Sequence, residues 1–195
     1  MKPALLSDLT HDNVIDKIEA LFAVIMEQSY LGEPVTVGEH MLQCAACARR
    51  DDAPDALVAA ALLHDVGYYV DPDPDNANET VAEKRHDRAA PCVLESFFPP
   101  EVTEPVRLHV DAKRYLCAIE PSYRERLSDA SIHTMSLQGG IMTDEDARTF
   151  GSQPFSDDAV RLRRWDDEGK NPETVAPGFA TYRAMLESLL VRTDT

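Results

Sequence analysis

Apolar residues in this chain return every three or four positions along most of its length. Ile15, Ile18, Leu21, Phe22, Ile25 and Met26 share one helical stripe, and Val37, His40, Met41, Cys44 and Ala48 share another. A period near 3.6 buries one side of a helix, whereas a half-buried strand needs a period of two, and no such alternation stands out. The breaks between stripes fit the same reading. Pro54 opens an alanine-rich helix, Ala56 to His64, which Gly67 ends. Asp71-Pro72-Asp73-Pro74-Asp75-Asn76 must be a loop. Val81 to Phe98 reads as the next helix, stopped by Pro99-Pro100. Thr103 is expected to cap a helix with Pro105 in its first turn, running through His109 and Lys113 to about Cys117. The stretch from about Ser122 to Leu137 reads as helix with a break, closed by Gly139-Gly140. Thr143 and Asp146 resemble a capping box. Ser156 is expected to cap Asp157 to Glu168, with Gly169 as the stop, and Phe179, Tyr182, Met185, Leu186 and Leu189 mark a last helix. With no internal repeat or linker, the expectation is one all-α domain over 1–195, long enough for a full core.

Charge limits the partners. With 19 Lys+Arg against 35 Asp+Glu the net charge is −16, which disfavours nonspecific binding to nucleic acid or to an anionic membrane. An anionic small substrate remains compatible, because one buried Lys outweighs the global field locally. No apolar run reaches the ~18 residues of a membrane span, and Met1 to Thr10 does not read as a secretory signal. Cys44-Ala45-Ala46-Cys47 has C-x-x-C spacing, but it sits in a helical pattern with no second such pair, so both cysteines read as core residues. A cytoplasmic, reduced protein is the expectation.

Titratable residues on the helical faces carry the chemical signal. His40, His64-Asp65, His86, His109 and Asp166 all fall in or at the ends of expected helices. Burying that many polar groups without a cation is unfavourable. A metal removes the penalty by taking neutral imidazoles and carboxylates as ligands. His64 and Asp65 are consecutive, so their side chains diverge by about 100° at a helix end. One can bind a single ion while the carboxylate bridges to a second, and two metals bridged by Asp65 use all six residues.

His40, then Leu62-Leu63-His64-Asp65-Val66-Gly67, then His86, His109 and Asp166, resembles the HD-domain superfamily in its dinuclear form. The resemblance implies an all-α bundle in which His40, His64 and Asp166 hold one metal, His86 and His109 hold the other, and Asp65 bridges. Most of that superfamily are phosphohydrolases. A smaller branch comprises mixed-valent diiron oxygenases, and over roughly 28–170 the chain resembles the branch that cleaves phosphonates. The matching segments are Tyr30-Leu31-Gly32-Glu33-Pro34-Val35, His109 with Lys113-Arg114-Tyr115-Leu116, Gln138-Gly139-Gly140 followed by Met142, and Arg164-Trp165-Asp166-Asp167.

That branch implies two iron ions, Fe(II)/Fe(III), with O2 as co-substrate. It also implies a Tyr30 that ligates the substrate-site iron until substrate displaces it, and a Glu33 that faces a cationic nitrogen on the substrate. The residues themselves add to this. Lys113 lies four positions after His109, on the same helix face, where an ammonium and a metal could share a phosphonate. Ser131, Thr134 and Gln138 lie at helical spacing and can donate to the same oxyanion. The glycine-forming members carry a His three residues after the HD aspartate; here Tyr68 stands in that place, followed by Tyr69. An aromatic face suits a quaternary ammonium. The resemblance therefore implies oxidative C–P cleavage of (R)-1-hydroxy-2-(trimethylammonio)ethylphosphonate to glycine betaine and phosphate. Its alternatives are the same cleavage of 2-amino-1-hydroxyethylphosphonate to glycine, or a metal-dependent phosphohydrolase. A silent HD-like binding module would have lost ligands, and this chain keeps all six.

Overall fold

The computed structural model describes residues 6–30, 32–69 and 93–191. Helix α1 is Val14–Ile25, α2 Val37–Arg50 and α3 Asp55–Leu63, and a 3-10 turn, Val66–Tyr69, follows α3. Beyond it come α4 Pro100–Ile119, α5 Pro121–Arg124, α6 Asp129–Leu137, α7 Asp144–Gly151, α8 Ser156–Glu168 and α9 Ala180–Ser188. Among the described residues the only β pairing is an isolated bridge between Ser29 and Thr36, so the all-α expectation holds. None of the described helices is long and apolar enough to cross a membrane. The expected 71–76 loop, most of the Val81 helix, His86 and Leu31 lie outside the described residues.

Four helices close into a ring: α2 packs on α3, α3 on α4, α4 on α8, and α8 back on α2. At its centre α3 is apolar on every side, with Leu57 through Leu63 all buried, as a helix with no polar face must be. Its run of Ala59, Ala60 and Ala61 keeps the neighbouring backbones close. Helices α1 and α9 pack against each other and onto α2 and α3 respectively. The α1 stripe is buried at Ile15, Ile18, Leu21, Phe22 and Ile25, while Met26 at its end is exposed.

Local chemistry sets the helix starts that aim the site. Thr36 and Glu39 form a full capping box at α2: Glu39 N–H donates to Thr36 Oγ1 (3.2 Å), and Thr36 N–H donates to Glu39 Oε2 (2.8 Å). That fixes the rotation of the first turn, and with it the heading of His40. The Thr143–Asp146 pair caps α7 as expected.

Four boundaries differ from the sequence reading. The helix expected to reach Phe98 is over by Leu94, and 95–98 are turn and bend. Helix α4 starts four residues early, with Pro99 at the N-cap in place of Thr103 and Pro100 at the first position, where a missing N–H is harmless. Thr103 is buried inside the helix, and the interior Pro105 leaves the carbonyl of the exposed Glu101 without its helical donor. Ser156 is the first residue of α8 rather than its cap. Phe155 holds the N-cap place in a left-handed conformation (φ 63°), and its ring packs on the cluster of Leu108, Phe150 and Ala159. Burial of that ring offsets a strain of about 1–2 kcal/mol. Gly67 does not end α3: the helix stops at Leu63, and Gly67 lies within the 3-10 turn that carries Tyr68.

Candidate metal centre

Each helix of the ring contributes a metal-ligand type of side chain to its axis. His40 comes from α2, His64 and Asp65 from the end of α3, His109 from α4 and Asp166 from α8, all buried. The rings of His40 and His64 meet edge to face at 5.1 Å between centroids, and those of His64 and His109 at 5.4 Å. Each imidazole has its Nδ1 against a backbone carbonyl: Gly169 O for His40 (2.8 Å), Ala61 O for His64 (2.9 Å) and Val106 O for His109 (2.6 Å). A carbonyl only accepts, so Nδ1 carries the proton and Nε2 the lone pair, the arrangement of a metal-ligating histidine with its orienting partner.

The resulting donor atoms converge. His40 Nε2 lies 3.2 Å from His64 Nε2 and 3.5 Å from Asp166 Oδ1. Asp65 Oδ2 lies 3.5 Å from His64 Nε2 and 3.9 Å from His40 Nε2. Two lone pairs facing at 3.2 Å repel unless a cation lies between them. Asp166 Oδ1 is buried without a hydrogen-bond partner among the described residues. Burial pulls the His40 imidazole down to about 4, so it is neutral at physiological pH. Burial works to raise the Asp166 carboxyl, but Arg163 and Lys170 hold it well below the usual range. Neutral imidazoles and an ionised carboxylate are the forms that bind a cation, so the residues present fit a metal cofactor.

Cys44 also lies near, its Sγ 3.8 Å from His40 Nε2, and together with His40 and His64 it forms a group able to hold an ion. The carboxylates serve better. The Cys44 thiol donates to Trp165 O (3.4 Å), and burial, reinforced by Asp166, pushes it well above its ordinary value. Cys44 and Cys47 are both free thiols, as expected of core residues.

A cleft of about 50 Å³ opens beside the carboxylates. It is lined by Tyr30, Glu33, Asp65, Tyr68, His109, Lys113, Ser131, Thr134 and Gln138, which gathers the expected substrate residues in one place. Tyr30 stacks on His40 (4.4 Å, 17°) and donates its hydroxyl to Asp65 Oδ2 at 3.0 Å. Burial and the Asp65 charge raise that phenol well above its ordinary value. Lys113 is buried and donates to Thr134 Oγ1 (2.9 Å). Burial and the neighbouring Arg163 cation lower its ammonium to about 7. Tyr68 faces the cleft half-buried, while Tyr69 turns into the core and donates to Gln28 Oε1 (2.8 Å). His86, the sixth expected ligand, lies outside the described residues.

The sequence reading passed over Arg163 and Lys170, which also line the cleft, and Ser128, which supports it through Glu33. Arg163 is buried and donates to Asp166 Oδ2 (2.6 Å), which leaves Oδ1 without a hydrogen bond among the described residues, facing His40 Nε2 with the Lys170 ammonium 3.8 Å away. Its other nitrogens reach Asp167, Tyr123 OH (3.0 Å) and Ser131 Oγ (3.4 Å). Ser128 caps α6 and donates to Glu33 Oε1 (2.6 Å). Lys170 pairs with that same Glu33 oxygen (3.1 Å) and donates to Ser131 Oγ (3.1 Å). Lys170 stands four residues after Asp166, the same spacing that singled out Lys113 after His109.

Such a site is the mark of a helical metalloprotein, and comparison with known proteins narrows it. The HD domain family matches residues 37–143. The [1-hydroxy-2-(trimethylamino)ethyl]phosphonate dioxygenase (glycine-betaine-forming) of Leisingera caerulea is 38% identical over 184 residues, 94% of each chain. The hydroxymethylphosphonate dioxygenase of Gimesia maris is 40% identical over 178 residues, 90% of this chain and 89% of the relative. An uncharacterised protein of Acanthamoeba polyphaga mimivirus is 30% identical over 158 residues, 80% of this chain and 72% of its own. The chain belongs to the HD-domain family, and within it to the oxygenases that the first two relatives represent.

Proposed function

We propose that this enzyme binds two iron ions and uses O2 to cleave the C–P bond of a small 1-hydroxyalkylphosphonate, releasing phosphate. The observation that carries the reading is the juxtaposition of two sets of groups. Lone pairs of His40 and His64 and the open oxygen of Asp166 converge next to a cleft walled by a buried lysine and hydroxyl donors. Imidazole and carboxylate together suit iron. His40, His64 and Asp166 would hold one ion, His109 with His86 the other, and Asp65 would lie between them. When bound, the pair supplies the one-electron chemistry that lets O2 react at a C–H bond.

The protein's own side chains perform the remaining tasks. Lys113, oriented by Thr134, sets an ammonium at the phosphonate end, with Ser131 and Gln138 as further donors to its oxygens. Tyr30 covers the metal side of the cleft and holds its proton on Asp65 Oδ2. Arg163 keeps Asp166 ionised and directs it toward the metal. The atoms balance when one oxygen of O2 joins C1 and the other joins phosphorus. R–CH(OH)–PO3(2−) and O2 then give a carboxylate, hydrogen phosphate and a proton. The trimethylammonium substrate implied by the sequence is also the one for which the 38% identical relative is named; the 40% identical relative is named for a substrate with no nitrogen.

Iron-loaded protein should release phosphate from a 1-hydroxyphosphonate only in air, with O2 consumed in equal amount. Release without O2, or hydrolysis of a phosphomonoester in its place, would pass the function to the metal-dependent phosphohydrolases.

A further inference from the structure

We propose that Gln43 is a positioning residue of the metal centre, whose buried amide holds the chain beyond α8 so that the Gly169 carbonyl stays on His40 Nδ1. This rests on the reading of His40 as a metal ligand.

Beyond Gly169 the chain leaves α8 and runs without helix to α9. Asn171, Pro172, Glu173, Thr174 and Val175 are all exposed, so no apolar side chain anchors that stretch to the core. Its backbone is anchored instead. Gln43 is 2% exposed. Its Nε2 donates to Asn171 O (2.9 Å) and Thr174 O (3.2 Å), and its Oε1 accepts from Asn171 N–H (3.1 Å). Both donors of the amide and one lone pair of its oxygen are thus used, as burial of such a group demands.

Gln43 lies three residues after His40, and Cys44 four, so the three side chains leave one face of α2. Each donates to a carbonyl at or beyond the end of α8: His40 to Gly169, Gln43 to Asn171 and Thr174, Cys44 to Trp165. A helix end leaves carbonyls without partners, and α2 supplies them here. Within this set the His40 contact is the one under load. His40 Nε2 faces His64 Nε2 at 3.2 Å. Two such lone pairs find relief when one ring carries its proton on Nε2 rather than Nδ1. His40 would then donate to His64 and have no lone pair left for a metal. The Gly169 carbonyl, 2.8 Å from Nδ1, opposes that change. It is only as fixed as the chain on either side of it: α8 holds one side, and Gln43 holds the other.

The test reads the ring proton and the metal separately. Long-range 1H–15N NMR of the metal-free protein, with the His40 ring neutral, shows which nitrogen carries the proton. Competition against a chelator without O2 gives the Fe(II) affinity. Gln43→Met keeps the length of the side chain and makes none of the three hydrogen bonds. Gln43→Asn keeps an amide too short to span them, and is the second variant should the first not fold. Either should move the His40 proton to Nε2 and weaken Fe(II) binding about tenfold. Ile18→Ala, in the core face of α1, supplies the structural comparison: it lowers unfolding stability and should leave both readings at the wild-type value. A folded Gln43 variant that keeps the proton on Nδ1 overturns the proposal. So does one that moves the proton yet keeps wild-type affinity while His40→Ala loses Fe(II). If the proton moves and His40→Ala binds Fe(II) as wild type does, the Gln43 assignment stands and the reading of His40 as a ligand falls.

Discussion

Gly169 ends α8 where the chain runs against α2, and its carbonyl accepts from His40 Nδ1 at 2.8 Å. A Cβ placed there would lie 2.6 Å from Cys44 Sγ, 3.1 Å from Cys44 N and 3.1 Å from Trp165 O. Ordinary van der Waals contact begins near 3.5 Å, so Gly169→Ala displaces the buried Cys44 Sγ by roughly 1 Å and the adjoining backbone by about 0.4 Å. The φ of −72° would itself suit alanine; the close approach is what demands glycine. Overpacking of this kind costs about 1–3 kcal/mol in unfolding free energy. A second effect reaches the site: the displaced carbonyl loosens the hydrogen bond that sets the His40 tautomer and heading. Loss of an orienting partner weakens metal binding about 10–100-fold. Urea unfolding of the metal-free protein reads the first effect, and competition of the loaded protein against a chelator reads the second. Cys44→Ala in the same chain removes the closest clash and should restore part of both. If Gly169→Ala loses stability but keeps wild-type metal affinity, the Gly169 carbonyl does not orient the ligand, and the argument fails at that step.

Asp65→Ala should lose both metals, since its carboxylate is the proposed bridge; elemental analysis that still finds two irons per chain would dismiss the bridge. Oxidised, substrate-free protein should show a ferric-phenolate absorption band that fades on adding substrate and is missing in Tyr30→Phe; a band that survives belongs to another phenol. Lys113, lowered by burial and Arg163 to about 7, should carry its charge below that pH and lose it above. Phosphonate affinity should therefore fall as pH rises past about 7, by up to tenfold per unit, and Lys113→Ala should be weaker at low pH and lack that fall. The stability sign is opposite. The unfolded lysine keeps its proton to about 10.4, so metal-free stability rises with pH between these values, and Lys113→Met should stabilise most below pH 7 with the gain vanishing toward pH 10.

The helical period and its punctuation were enough to read the helices and the candidate ligand side chains they bury, because burial on one face is a local property of sequence. The starts of α4 and α8 were not local. Pro99 and Pro100 open the helix four residues before the cap expected at Thr103, and the Phe155 conformation depends on a cluster gathered from α4, α7 and α8. Arg163 and Lys170 were missed for a related reason. Within Arg161-Leu162-Arg163-Arg164-Trp165-Asp166-Asp167-Glu168-Gly169-Lys170 the charges look like a solvated face, yet Arg163 is buried and Arg164 exposed. A signal was present: Arg163 lies between Leu162 and Asp166 on the inward face of α8, and Lys170 repeats the spacing of four that picked out Lys113. What no spacing could reveal is that Glu33 and Lys170, 137 positions apart (170 − 33), meet across the cleft.

Donors at positions 40, 64, 65, 109 and 166 come together only when α2, α3, α4 and α8 have closed their ring. Apart from His64 and Asp65, no two are near in sequence, so an unfolded chain presents no assembled site to compete for the ion. Metal then binds the native state almost alone, and each tenfold rise in free metal above its dissociation constant adds about 1.4 kcal/mol to stability. During synthesis Asp166 is made after all the other donors. A nascent chain stalled before α8 has the histidines of α2, α3 and α4 but not the carboxylate that closes the site. Retention of the ion is thus a late event, and a chain truncated or misassembled at its C-terminal end would show itself as one that does not keep its metal.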